Sequence, residues 1–131
     1  MIIKNYLLNK SNIDKYNLFL LYGKNDGFQN EVIQKFFIND FKGQVNKYDE
    51  NEFLVNNETI VNEILNKSLF EKEKIIIISR VSDKILKLIQ EILEKKLIDI
   101  KLILKSKTLE KRSKLRLFFE KDKRVAITPF Y

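Results

Sequence analysis

The chain has 131 residues, 44% of them hydrophobic, with no cysteine, no histidine and a formal net charge of +7. That length suits one compact domain with a core of its own. The missing residue types exclude disulfide staples, thiolate metal sites, cysteine nucleophiles and histidine acid–base chemistry, so a non-enzymatic role with no metal and no cofactor is expected. The positive charge comes from twenty-one lysines and four arginines, dispersed among acids as in Glu71-Lys72-Glu73-Lys74, and this reads as a solvated surface. Lysine, isoleucine and asparagine make up about 40% of the chain, a compositional drift that inflates the charge without giving it a function.

Residues 1–9 carry only a short apolar run broken by Lys4 and Asn5. That run is neither a signal sequence nor a membrane span, so a cytoplasmic protein without a membrane partner is expected. Residues 18–22, Leu-Phe-Leu-Leu-Tyr, form a continuous apolar run ending at Gly23, the pattern of a central strand buried on both faces. After the turn 23–27, Val32, Ile33, Phe36 and Phe37 share one stripe of an amphipathic helix that reaches about residue 41, where Gly43 ends it. Residues 44–48 suggest a weaker strand, followed by a polar stretch, 49–57, that contains the isolated pair Phe53-Leu54.

A second helix is expected over residues 58–67, from Ile60, Val61, Ile64 and Leu65 on one face, and a strand over the four isoleucines 75–78. A third helix over 84–96 has Asp83 as its expected N-cap and Ile85, Leu88, Ile89, Ile92 and Leu93 on its buried side. A strand over 100–105, a helix over 109–121 using Leu115, Phe118 and Phe119, and a last strand over 124–128 before Pro129 complete the chain. Strands alternating with helices of this length need crossovers, which give a parallel sheet covered on both faces. The expected fold is therefore a three-layer α/β/α domain. The chain stops just past a strand, which raises the expectation that a larger protein continues beyond it.

In such a fold the first strand-to-helix turn is where phosphates bind, on glycine amides and a helix N-terminus. Here it reads Gly23-Lys24-Asn25-Asp26-Gly27-Phe28-Gln29-Asn30. A working phosphate loop needs G-x-x-x-x-G-K-S/T, with the lysine on the terminal phosphates and the hydroxyl on magnesium. Both are missing, the second glycine comes one residue early, and Asp26 repels phosphate. No carboxylate follows the strand 75–78, which runs into Ser79-Arg80. The loop is degenerate: Gly23, Lys24 and Gly27 keep its outline without its chemistry, and Lys24 reads as a solvated turn residue.

Two further groupings invite a site and are better explained otherwise. Asp49, Glu50 and Glu52 could seed a metal site, but acids in an Asn-rich turn more often cap helices. Lys111-Arg112-Ser113-Lys114 could hold phosphate, but a basic helical face without interleaved exposed aromatics reads as solvated.

Three segments, in this order and spacing, resemble the N-terminal domain of the delta subunit of bacterial DNA polymerase III, the clamp-loader subunit. They are residues 19–23 with the degenerate loop, Ser68-Leu69-Phe70 just before the strand 75–78, and the run 109–116 leading into 125–131. The Leu-x-Lys-Arg-Ser-x-Leu run together with the Ser-Leu-Phe step makes the match fairly specific. The resemblance implies a RecA-like, AAA+-type domain that has lost ATP binding. It implies that residues 1–131 are the first domain of a longer subunit, whose later helical domains join the other loader subunits. It also implies binding and opening of the sliding clamp, the beta subunit, by an inserted pair, Leu69 and Phe70, introduced by Ser68. DNA would be met indirectly, and association with DNA polymerase activity would come through the holoenzyme.

In this family a glycine or small polar residue usually follows the Phe, then basic residues; here Glu71-Lys72-Glu73-Lys74 follows instead. Judged on its residues alone, the Leu69-Phe70 pair admits two readings, a loop folded back over the end of the preceding helix or an exposed apolar contact for a partner. The rival functions are a degenerate nucleotide-hydrolase-like interaction domain and a nucleic-acid-binding module.

Overall fold

The fold was taken from a computed structural model, which describes residues 1–65, 73–95, 97 and 99–131. Five strands form one sheet in the order β2-β3-β4-β1-β5. They are β1 (Leu18–Tyr22), β2 (Gln44–Asp49), β3 (Lys74–Ser79), β4 (Ile100–Ser106) and β5 (Ala126–Pro129). Every neighbouring pair runs parallel, with Leu20 opposite Leu104 on one side and Ile127 on the other. The architecture is thus α/β with an all-parallel sheet, as the alternation of apolar runs and helical stripes predicts.

Among the described residues six α-helices flank the sheet: α1 (Lys10–Ile13), α2 (Asp26–Ile33), α3 (Glu50–Val55), α4 (Asn57–Leu65), α5 (Leu86–Glu94) and α6 (Lys114–Lys121). Strand alternation sorts them into two layers. Leu18, Leu20, Ile76, Ile78, Leu102 and Leu104 meet Phe53 of α3, Ile60 and Ile64 of α4, Ile89 and Ile92 of α5, and Leu115 and Phe119 of α6. On the other face Phe19, Leu21, Ile75, Ile77 and Ile103 meet Ile13 of α1 and Val32, Ile33 and Phe37 on and beyond α2. All five residues of β1 are buried, because β1 has a strand on each side and a helical layer on each face.

Several boundaries differ from the expectation. The helix expected to reach residue 41 is α2 followed by a π-helical turn, Gln34–Ile38, in which Asn39 N–H donates to the Gln34 carbonyl at 2.8 Å. The polar stretch after β2 holds a helix, α3. The helix expected over 84–96 begins as a 3₁₀ turn, Asp83–Ile85, whose N-cap is Ser82 and not Asp83. The helix expected from 109 starts only at Lys114, because Ser113 caps it with its side chain, while Leu109 is buried from the preceding turn. The last strand is Ala126–Pro129 rather than 124–128, since Asp122 holds Arg124 in a turn at 2.8 Å from its backbone nitrogen.

The N-terminal residues, unassigned from sequence, cover the edge of β5. Ile2 bridges Ile127 in parallel register, and Ile3 N–H donates to the Ile127 carbonyl at 2.9 Å. The Met1 ammonium donates to the carbonyls of Phe119, Asp122 and Val125 at 2.6, 3.0 and 2.9 Å, so it caps the C-terminal end of α6 and the turn after it. An edge strand that would otherwise offer free backbone groups is shielded in this way.

Candidate functional site

Neighbouring strands β1 and β4 send their chains to opposite faces, β1 into α2 and β4 into α6. The crevice between their C-terminal ends is therefore the switch point of the sheet, where open α/β folds bind ligands. The degenerate loop forms one wall of it and residues 105–107 form the other.

Gly23 has φ +127°, and a Cβ there would stand 1.9 Å from the Phe130 carbonyl oxygen. The glycine is demanded by the close passage of the segment after β5, not by a phosphate. Backbone groups of the loop are already engaged. Gly23 N–H donates to the Lys107 carbonyl at 2.8 Å and Asn25 N–H to the Phe130 carbonyl at 3.3 Å, while Phe130 N–H donates to the Tyr22 carbonyl at 2.7 Å. The Phe28 ring meets the Phe130 ring edge-on at 5.2 Å, closing the loop against the C-terminal segment.

The start of α2 is satisfied from within. The Asn25 side chain accepts from Phe28 N–H at 3.0 Å, the N-cap bond that a bound anion would otherwise supply. Gly27 lies inside the first turn of α2, where a Cβ would meet nothing nearer than Asn25 Oδ1 at 3.8 Å. It is not a glycine that brings backbone close to a ligand. Lys24 is exposed and has no ion pair among the described residues, as its reading as a solvated turn lysine requires.

The crevice is filled by Gln29, Asp26 and Asn30 of the loop and by Lys105, which sequence reasoning did not single out. Gln29 is 1% exposed, and its side-chain amide donates to the Gly23 and Ser106 carbonyls, both at 3.2 Å. Lys105, at the end of β4, places Nζ 2.8 Å from Asp26 Oδ1 and 2.6 Å from Asn30 Oδ1. The bond from Lys105 holds the Asp26 carboxyl below its usual range. The one available signal was a second lysine, Lys105, after the apolar run 102–104 of β4.

The acidic cluster after β2 is consumed by caps. Asp49 Oδ1 accepts from Glu52 N–H at 3.0 Å, and Glu52 Oε1 accepts from Asp49 N–H at 3.2 Å, a reciprocal capping box for α3. Glu50 accepts from the backbone nitrogen of Ser82 at 2.7 Å and from its hydroxyl. Arg80, in left-handed backbone at φ 58°, pairs with Asp49. Among the described residues no cluster of acids has the makings of a metal site.

In the basic run, Ser113 caps α6, Arg112 pairs weakly with Glu110 at 3.4 Å, and Lys111 and Lys114 are exposed. A cavity of about 120 Å³ lies at the C-terminal ends of β1 and β5, bounded by Tyr22, Arg116, Glu120 and Tyr131. The Arg116 guanidinium lies 5.0 Å over the Tyr22 ring and 3.6 Å from Glu120, so its charge is already compensated within the cavity wall. Burial, helped by a hydrogen bond with Tyr131, pushes the Tyr22 hydroxyl up to about 12. Ser68, Leu69 and Phe70, the residues expected from the resemblance to contact a clamp, lie outside the described residues.

Among the described residues no helix is long and apolar enough to cross a membrane. Comparison with protein-family models and with curated protein sequences finds no match to this chain.

Proposed function

We propose that the chain is the first domain of a clamp-loader delta subunit, which binds the sliding clamp and helps open it during DNA replication without hydrolysing ATP. In this reading the domain is RecA-like and AAA+-type, and its loop after β1 keeps the outline of a nucleotide site as an inheritance. The observation that carries it is the closed crevice. A loop shaped like a phosphate loop, at the switch point of a parallel sheet, is filled by its own Gln29 and sealed by Phe130. A domain of this build has a role in contact rather than turnover.

The choice of partner rests on the resemblance of the three sequence segments. Within it Ser68, Leu69 and Phe70 supply the contact, an apolar pair that fills a pocket of the clamp. Further domains would join the other loader subunits, and DNA would be met through the assembly. Binding of the purified chain to its cognate clamp, immobilised on a sensor surface, tests the reading. A saturable one-site isotherm is expected. No binding up to about 100 μM, weaker than a specific contact of this kind needs, would sink it.

A further inference from the structure

We infer that Lys105, Asp26, Asn30 and Gln29 form an internal lock, which ties the loop after β1 to the end of β4 as a bound phosphate would in a working loop. The inference concerns the state of the domain and stands whatever partner the domain binds.

Lys105 lies next to the end of β4 with a side chain only 11% exposed, so most of it is out of contact with water. A buried cation needs acceptors in place. Its two acceptors among the described residues, Asp26 and Asn30, stand one turn apart on α2 and are themselves joined, Asn30 Nδ2 to Asp26 Oδ2 at 3.3 Å. If α2 swung away from β4, the ammonium would stay behind without a counter-charge. The second tie is Gln29. Its two bonds run to the last carbonyls before each strand's outgoing loop, Gly23 after β1 and Ser106 at the end of β4.

The two ties are independent and use the same helix, so the first turns of α2 are fixed against β4 from both sides. An entering phosphate would have to break the Gln29 bridge and approach Asp26, whose side chain is 65% exposed. The domain is therefore held in one loop conformation with no ligand, and nucleotide has no lever on it. A clamp-binding surface carried on such a domain would be presented continuously.

Backbone hydrogen exchange of the intact chain tests the lock. Without nucleotide, amides in the C-terminal half of α2 should be protected. In Lys105→Met they should exchange at least about tenfold faster, while those of β3 keep their wild-type rates, and Gln29→Ala should act in the same direction. Magnesium with inorganic pyrophosphate should change nothing in the wild type. Unchanged α2 exchange in both variants, unprotected wild-type α2, or pyrophosphate-induced protection of the loop would each overturn the proposal. Should Lys105→Met not fold, Asp26→Asn removes the counter-charge from the more exposed side and carries the same comparison. Clamp affinity plays no part in this readout, so its failure and that of the clamp reading are separable.

Discussion

The Asp83 carboxylate, from the loop after β3, accepts from the Ser113 hydroxyl at 2.5 Å, thirty positions along the chain at the start of α6. It also accepts from the backbone nitrogens of Lys114 and Leu115 at 3.2 and 3.1 Å. The first turn of α6 is thus capped twice, by its own Ser113 and by an acid from a neighbouring loop. Ser113→Ala or Asp83→Ala should each cost about 1 kcal/mol, the usual size of a lost cap. The two residues share one hydrogen bond, so the double variant should lose less than the sum in denaturant unfolding. Strict additivity would show that they act separately.

Acid should weaken the fold through the same carboxylates. The Ser113 hydroxyl holds the Asp83 carboxyl below its usual value, and Lys105 does so for Asp26. A depressed carboxyl binds fewer protons in the folded than in the unfolded chain. Its contribution is complete above the unfolded value near 4 and is lost as pH falls through the folded value. Melting temperature should be flat from neutral pH to about 5 and drop below that. Asp83→Asn should shallow the drop, and an unchanged acid limb in that variant would assign it to other groups.

A base limb should come from Tyr22, whose hydroxyl burial pushes up to about 12 from the ordinary tyrosine value of about 10. Stability that is complete below pH 10 should decline between 10 and 12 as the unfolded chain ionises first. In Tyr22→Phe that decline should be smaller. If it is not, Tyr22 does not carry the limb.

The strands were legible where apolar residues run without a break, as in 18–22 and 75–78, because burial on both faces leaves no room for polar residues. The helices of the chain's middle were legible from their stripes. What escaped were contacts between positions distant in sequence. Asp83 has the residue type and place of an N-cap for the helix that follows it, and only the folded chain shows its acceptors turned to α6. Asp49 and Glu52 read as a cluster of acids, yet the spacing of three is that of a capping box, and this signal could have placed α3. In the crevice, the absent lysine–hydroxyl pair was visible in the sequence. Its replacement was not, since Gln29 and Lys105 find their partners 77 and 79 positions away.

ATP should not bind. The loop lacks the lysine and the hydroxyl that make charge-assisted contacts to triphosphate and magnesium, and its crevice is taken up by Gln29. Titration of a fluorescent ATP analogue with magnesium should give a flat trace. A saturable micromolar signal competed by unlabelled ATP would contradict the closed crevice.

DNA binding by the chain alone should be weak and indifferent to sequence, because its cations are dispersed among acids. Fluorescence anisotropy with labelled single strands should show affinity that vanishes as salt is raised to physiological levels. A tight complex with one discrete site size at that salt would favour a nucleic-acid-binding module instead.

The proposed clamp contact separates most sharply through two kinds of truncation. An apolar pair seated in a pocket concentrates binding energy, and removing a central aromatic or large aliphatic anchor costs about 2 kcal/mol or more, at least some thirtyfold in affinity. Leu69→Ala with Phe70→Ala should therefore nearly abolish binding to the cognate sliding clamp and leave the melting temperature in place. Ile77, in the middle of β3 and 5% exposed, serves the core. Ile77→Ala should destabilise the domain by about 2–5 kcal/mol through the lost transfer energy and the cavity left behind, with clamp affinity preserved for the fraction that stays folded. If instead the double variant melts early and the wild type shows no affinity for the clamp, Leu69 and Phe70 belong to the core and the clamp-loader reading fails with them.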